Sequence, residues 1–364
     1  MSENILKEEE RIVAKLRLLY RKYGYQPYKM SKFEEYDLYV ENKEFLVGDG
    51  VITFNDTDGK LLALKPDVTL SIIRNSVDDG EKRKVYYDEN VYRISGKTKQ
   101  FKEIMQVGLE CIGDIGIYEV YETLCLAAAS LAVISENYVL DISHLGLLSA
   151  ILADMKCGEG FERAFMNCLA AKNAHGICSL CEEYNVSEEN KDKLLVLVKA
   201  YGAPEKVLAQ IAPFCKSGKA KEKYKRIQTL CKLLALSPYA DKIRLDFSVV
   251  NDMTYYDNIV FKGFIDGIAE GVLSGGRYDK LIAKMGRNSG AIGFAVNLDL
   301  LEGFHSKPQV QDVDVLVLYD DKTSPLQLIR AVNSLVKKGN SVNVQKTEGN
   351  IRYGKLVDMT GGKA

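Results

Sequence analysis

The chain has 364 residues, with 49 Lys and Arg against 50 Asp and Glu, for a formal net charge of −1. That length suggests two or three domains around a large core, and the charge balance argues against a protein built to coat nucleic acid or an anionic membrane. The eight cysteines lack the spacing of a disulfide scaffold, the start has no apolar signal-peptide core, and no window holds eighteen consecutive apolar residues; these features predict a cytoplasmic chain that spans no membrane.

Residues 3–24 read as an amphipathic helix, with Ile5, Ile12, Leu16, Leu19 and Tyr23 near helical spacing and Gly24 as the stop. Residues 45–47, 51–55 and 61–65 read as short strands, and Pro66 ends the last of them before a helical TLSIIRN. Strands follow at 85–93 and 104–112, joined by a Lys-rich hairpin, and then a long helix at 118–136. A strand at 139–142 leads into a helix at 145–155. Residues 157–240 read as a helical insertion, because strand-like sequence resumes after it. The end of the chain, from 312, reads as a short strand–helix–strand unit with a tail.

One stretch is too polar for its pattern. Gln106, Gly108 and Glu110 alternate along a strand, so their side chains share one face of a sheet. Together with Asp67, Thr69 and Arg93 they are out of place on a buried face unless that face lines a pocket. The competing reading makes Asp67 and Thr69 a helix N-cap. It places Gln106 and Glu110 on a solvated face, with Phe101, Ile104, Val107 and Leu109 marking the buried one.

In order, PDVT at 66–69, YR at 92–93, QVGLE at 106–110, TYYDNIVF at 254–261, SGGRYD at 274–279 and GAIGFAVNLDLL at 290–301 resemble the motifs of class II histidyl-tRNA synthetases. The resemblance runs from residue 5 to about 304. It implies an α+β fold: an antiparallel sheet of about six strands flanked by helices (residues 1–305, insertion included) and a truncated anticodon-binding-like α/β unit (312–364). It also implies that Asp67 and Thr69, helped by Gln106, hold the ammonium of histidine. Glu110 and Tyr255 would read the two imidazole nitrogens, and Tyr256 would line the pocket. A zwitterion with a heteroaromatic side chain needs acceptors for its ammonium and a partner for each ring nitrogen.

The departures concern the nucleotide. Arg93 stands at the motif 2 arginine, a vestige of the ATP site, but Ser95 replaces the acid expected after it, and the hairpin is one residue short. Asn251 replaces the arginine that would neutralise the histidine carboxylate, which predicts weakened histidine affinity. Leu300 replaces the motif 3 arginine. Losing one such group costs on the order of a hundred- to a thousandfold in rate.

This combination is similar to the paralogue family that serves as regulatory subunit of ATP phosphoribosyltransferase. That resemblance implies a non-catalytic chain without cofactor or metal that partners the short-form catalytic subunit in a hetero-octamer. It further implies a response to free histidine and homodimerisation through residues 28–39, where Ser31 replaces the usual proline. The alternatives are a divergent active synthetase and a free-standing histidine sensor.

Other features read as structural. Gly275 and Gly276 suggest a strand-to-helix turn with Arg277 in a salt bridge. Lys97, Lys99 and Lys102 suggest a solvated hairpin, and the 127–129 alanines close helix packing. His175, Cys178 and Cys181 read as structural and not as metal ligands. His144 and His305 have no recognisable partner.

Overall fold

The computed structural model describes residues 8–43, 46, 50–76, 79–94, 100–216, 218–250, 256, 258–302, 304 and 311–362. The chain divides into two units, Met1–Phe304 and His305–Ala364.

The first unit begins with α1 (Glu8–Lys22), whose buried stripe is Ile12, Val13, Leu16 and Tyr20. Gly24 stops it at φ +83°, a left-handed position that favours glycine. Next come β1 (Gln26–Pro27), β2 (Phe33–Glu35), α2 (Asp37–Glu41), β3 (Thr53–Asn55) and β4 (Leu61–Leu64). The last three strands form a small antiparallel sheet in the order β2-β4-β3. Then follow α3 (Thr69–Asn75), β5 (Arg83–Ile94), β6 (Phe101–Gly113), α4 (Ile117–Ile134), β7 (Tyr138–His144) and α5 (Leu145–Met155).

The insertion is α6 (Glu159–Ala170), α7 (Ala174–Glu183), α8 (Glu188–Lys199), β8 (Tyr201–Gly202), α9 (Pro204–Ile211) and α10 (Gly218–Leu234). It is therefore not purely helical, because β8 joins the edge of the main sheet. The sheet resumes with β9 (Ile243–Asp246), β10 (Ile259–Ile265) and β11 (Leu273–Arg277), then α11 (Asp279–Lys284) and β12 (Gly290–Asn297).

The main sheet has nine strands in the order β1-β5-β6-β12-β11-β10-β7-β9-β8. Its middle six, β5 to β7, are antiparallel throughout, as expected. The parallel pairs β1–β5 and β7–β9 extend it at either side. One face is apolar: Leu109, Phe294, Gly275, Phe261 and Ile142 lie in one register row. Helices α1 and α4 cover it, with the Tyr20 ring 6.0 Å from Phe294. Ala127 and Ala128 are fully buried there, and Gly263 lies under Leu131, so small residues let α4 approach the strands closely. By length and composition α4 could cross a membrane, but 72% of it is buried inside this fold.

Two residues expected to mark the apolar face do not. Phe101 is 69% exposed at the hairpin end of β6, and Ile104 has the side-chain parity of Gln106.

The second unit contains β13 (Val313–Leu318), α12 (Pro325–Lys337), β14 (Val342–Gln345) and β15 (Tyr353–Asp358). The strands form a parallel sheet in the order β14-β13-β15 around Val315, Val317 and Met359. The segment read as a tail is thus a third strand.

Candidate functional site

On the face of the main sheet opposite α1 and α4 lies a cavity of about 480 Å³. Alternation along β6 places Gln106 and Glu110 in it, and the start of α3 brings Asp67 and Thr69 over them. The remaining lining includes Arg93, Tyr256, Tyr87, Tyr278, Lys262 and Asn297. Glycines clear its floor: a Cβ on Gly293 would collide with the Glu110 carboxylate and the Leu109 carbonyl, and one on Gly276 with the Tyr256 ring. Gly275 and Gly276 thus lie within β11 and not in a turn: Gly276 gives the pocket space, while Gly275 faces the apolar side against Phe294 and Phe261.

Glu110 is 2% exposed and Gln106 6%, which overturns the solvated-face reading. Glu110 accepts hydrogen bonds from Thr69 Oγ1 at 2.7 Å and from the Tyr278 hydroxyl. Burial pushes its pKa up to about 8; the two donors oppose that shift and the charge of Asp67 adds to it. Burial thus favours the protonated carboxyl, and a cationic imidazole or ammonium beside it would favour the ionised form.

Asp67 satisfies both readings. Its Oδ1 accepts from the Leu70 backbone N at 2.9 Å, as a helix cap does, and the residue also lines the cavity. Burial raises its pKa, while the Leu70 N–H and the Arg93 charge lower it. Arg93 lines the cavity and donates from Nε to the Pro66 carbonyl at 2.9 Å. Gln106 Nε2 donates to Asn297 Oδ1 at 2.8 Å. Leu300 lines the cavity at the position where the family resemblance places an arginine. Tyr255, Asn251, Ser95, Lys97, Lys99 and His305 lie outside the described residues.

Arg277 does not reach this cavity. It points to the opposite face, where it pairs with Asp279 at 2.7 Å and donates to the Ile115 carbonyl at 2.9 Å. Lys102 is exposed. His144, left without a partner in the sequence reading, caps α5: its Nδ1 accepts from the Leu147 backbone N at 3.1 Å. His175, Cys178 and Cys181 sit on α7, and no group of His, Cys, Asp or Glu among the described residues could hold a metal ion.

Several lining residues escaped the sequence reading, Tyr87 among them. Tyr278 was absorbed into a glycine turn, and Asn297 meets Gln106 only through strand pairing. Lys262 did leave a signal, as a lone charge inside the apolar strand IVFKGFI. A buried pair was missed as well: Lys65, fully buried, holds Glu89 at 2.6 Å.

A six-stranded antiparallel core with helices on one face and a polar pocket on the other is the catalytic-domain architecture of class II aminoacyl-tRNA synthetases. The family model for histidyl-tRNA synthetase matches residues 2–301, and the chain belongs to that family. It is 24% identical over 355 residues to the ATP phosphoribosyltransferase regulatory subunit of Oceanobacillus iheyensis, covering 95% of this chain and 86% of the relative. Its fold matches an ATP phosphoribosyltransferase regulatory subunit/histidyl-tRNA synthetase from Bacillus halodurans with TM-score 0.80 at 23% identity, over 98% and 94% of the two chains. It also matches a chain of the ATP phosphoribosyl transferase (HisG:HisZ) complex from Thermotoga maritima with TM-score 0.63 at 16% identity, over 80% of this chain and 97% of that one.

Proposed function

We propose that this chain is a non-catalytic regulatory subunit of ATP phosphoribosyltransferase, required for the first step of histidine biosynthesis and for its feedback inhibition by histidine. The observation that carries the reading is a pocket with carboxylates and amides suited to an amino acid but with Leu300 on its lining in place of a phosphate-binding arginine. The names of the Oceanobacillus and Thermotoga proteins support the same assignment. In this reading Asp67, Thr69 and Gln106 serve the ammonium, and Glu110, Tyr255 and Tyr256 serve the imidazole. Residues 28–39 form the homodimer contact, and the short-form catalytic subunit completes a hetero-octamer. Histidine then acts by binding one state of that assembly more tightly than the other.

Lys262 supplies the countercharge that Asn251 lacks. By register it shares a row with Gly108, between the Glu110 and Gln106 rows. Its stem runs over Gly271, and its Nζ lies 5.6 Å from the ring of Phe264, so the ammonium leans toward the Gln106 end. Among the described residues it makes no ion pair. Glu110 and Gln106, four residues apart on one strand, are separated by about 13 Å. A histidine with its ring at Glu110 therefore directs its backbone end toward Lys262. Lys262→Met is expected to weaken histidine binding about ten- to hundredfold in calorimetry while leaving histidinol, which has no carboxylate, unchanged. Equal loss for both ligands would remove Lys262 from this role.

A second reading, an active synthetase with a divergent pocket, is favoured by Arg93 on the pocket lining. The two separate cleanly: histidine-dependent exchange of pyrophosphate into ATP is expected to be absent for the purified chain, and its presence would establish the synthetase.

A further inference from the structure

A second cavity, of about 450 Å³, opens on the helix-covered face of the same sheet. Side-chain parity separates the two sites, since Ile259 and Arg277 point away from the face that carries Lys262 and Ser274. The walls of this second cavity are apolar: Ile115 just before α4 and Val120 on it, Ile227 and Leu230 on α10, and Ile259 on β10.

Its floor holds His144, 4% exposed. Because Nδ1 accepts the Leu147 N–H, the neutral ring carries its proton on Nε2, and that donor has no hydrogen-bond partner in the described protein. Burial, then the charge of Lys223, with Arg226 and Arg277 contributing less, pushes its pKa down to about 3. Three cations therefore converge on one buried neutral donor.

Each cation is anchored at its own position. Lys223 donates to Asn258 Oδ1 at 3.1 Å, Arg226 pairs with Glu222 at 2.7 Å, and Arg277 is held by Asp279 and the Ile115 carbonyl. Asp279 is the one acid among the described lining residues. The N-terminus of the 18-residue α4 also opens here at Gly116 and Ile117, adding the positive end of its dipole. Glu119 answers part of it by accepting from the Gly116 N–H at 2.9 Å.

We propose that this cavity is a second ligand site, for an amphipathic carboxylate whose apolar body lies against the isoleucine and leucine wall and whose carboxylate sits between His144 Nε2–H and the basic rim. The site stands independently of the histidine reading. One wall is the insertion helix α10 and the other is the sheet that carries the histidine pocket, so a ligand here would tie the insertion to that sheet.

The test uses the full chain with octanoate, and with 1-octanol and acetate as the uncharged and body-less controls, followed by calorimetry and saturation-transfer NMR. Octanoate is expected to bind saturably at one site, with 1-octanol and acetate at least about tenfold weaker. The double variant K223Q/R226Q is expected to lose about tenfold for octanoate but not for 1-octanol. Ile117, 45% exposed at the mouth, allows I117W to obstruct the cavity without disturbing the core, and both ligands should weaken. The proposal is overturned if 1-octanol or acetate binds as well as octanoate, or if either variant binds octanoate as the wild type does. It is also overturned if no saturable octanoate binding occurs up to about 5 mM, a concentration that would detect even weak affinity.

Discussion

Glu110→Ala is expected to weaken histidine binding by at least about a hundredfold, the scale of loss when a buried polar partner is removed from a site built around it. The carboxyl is almost wholly buried, and its removal also leaves Thr69 Oγ1 and the Tyr278 hydroxyl without their acceptor. Glu110→Gln keeps the shape but cannot ionise, so it should bind more weakly than wild type and more tightly than the alanine variant.

The same pair of proteins yields a pH signature. The folded pKa of Glu110, about 8, lies above its unfolded value. The native state therefore holds the proton more tightly, and this contribution to stability is full below the unfolded pKa and lost as pH rises through 8. Asp141, pushed up to about 7 by burial and then by Asp246, acts with the same sign. The ligand-free wild type is expected to lose thermal stability between about pH 5 and pH 8, and Glu110→Gln should remove part of that slope and leave the Asp141 part. Tight histidine binding by Glu110→Ala would place the ligand elsewhere.

Lys65→Met is expected to cost about 3 kcal/mol of stability in denaturant titration, the magnitude for stripping one partner from a buried ion pair. Lys65 Nζ meets Glu89 at 2.6 Å, with the lysine side chain 1% and the glutamate 17% exposed. Without the ammonium, the carboxylate is left largely dry and unpaired. Its partial exposure keeps the cost at the lower end of the range for such pairs. Replacing both, as in K65M/E89L, should recover much of the loss, because no charge then remains buried. A single-variant effect below about 1 kcal/mol would mean that water reaches the pair in solution.

What could be read from sequence was whatever has a local period. Alternation at Gln106, Gly108 and Glu110 gave the pocket face of β6, and apolar spacing gave α1 and the exact span of α5. The pocket's other side needed strand pairing: Asn297 lies 191 residues from Gln106 and Tyr278 168 from Glu110, distances over which no spacing rule operates. Lys65 was illegible for a different reason. A lysine reads as surface, and only its meeting with Glu89 makes burial affordable. β15 was missed because four of its six residues are exposed and it holds no apolar run. The cap role of His144 required its ring geometry. Arg277, by contrast, was legible, since its partner Asp279 is two residues away.

The most direct measurement mixes the purified chain with a short-form ATP phosphoribosyltransferase catalytic subunit from the same cell and follows phosphoribosyl transfer to ATP, with and without histidine. The account predicts that activity appears only when both chains are present and falls when histidine is added, and that the fall is blunted by Glu110→Ala. Full activity of the catalytic subunit alone, with no complex formed and no effect of this chain, would contradict it.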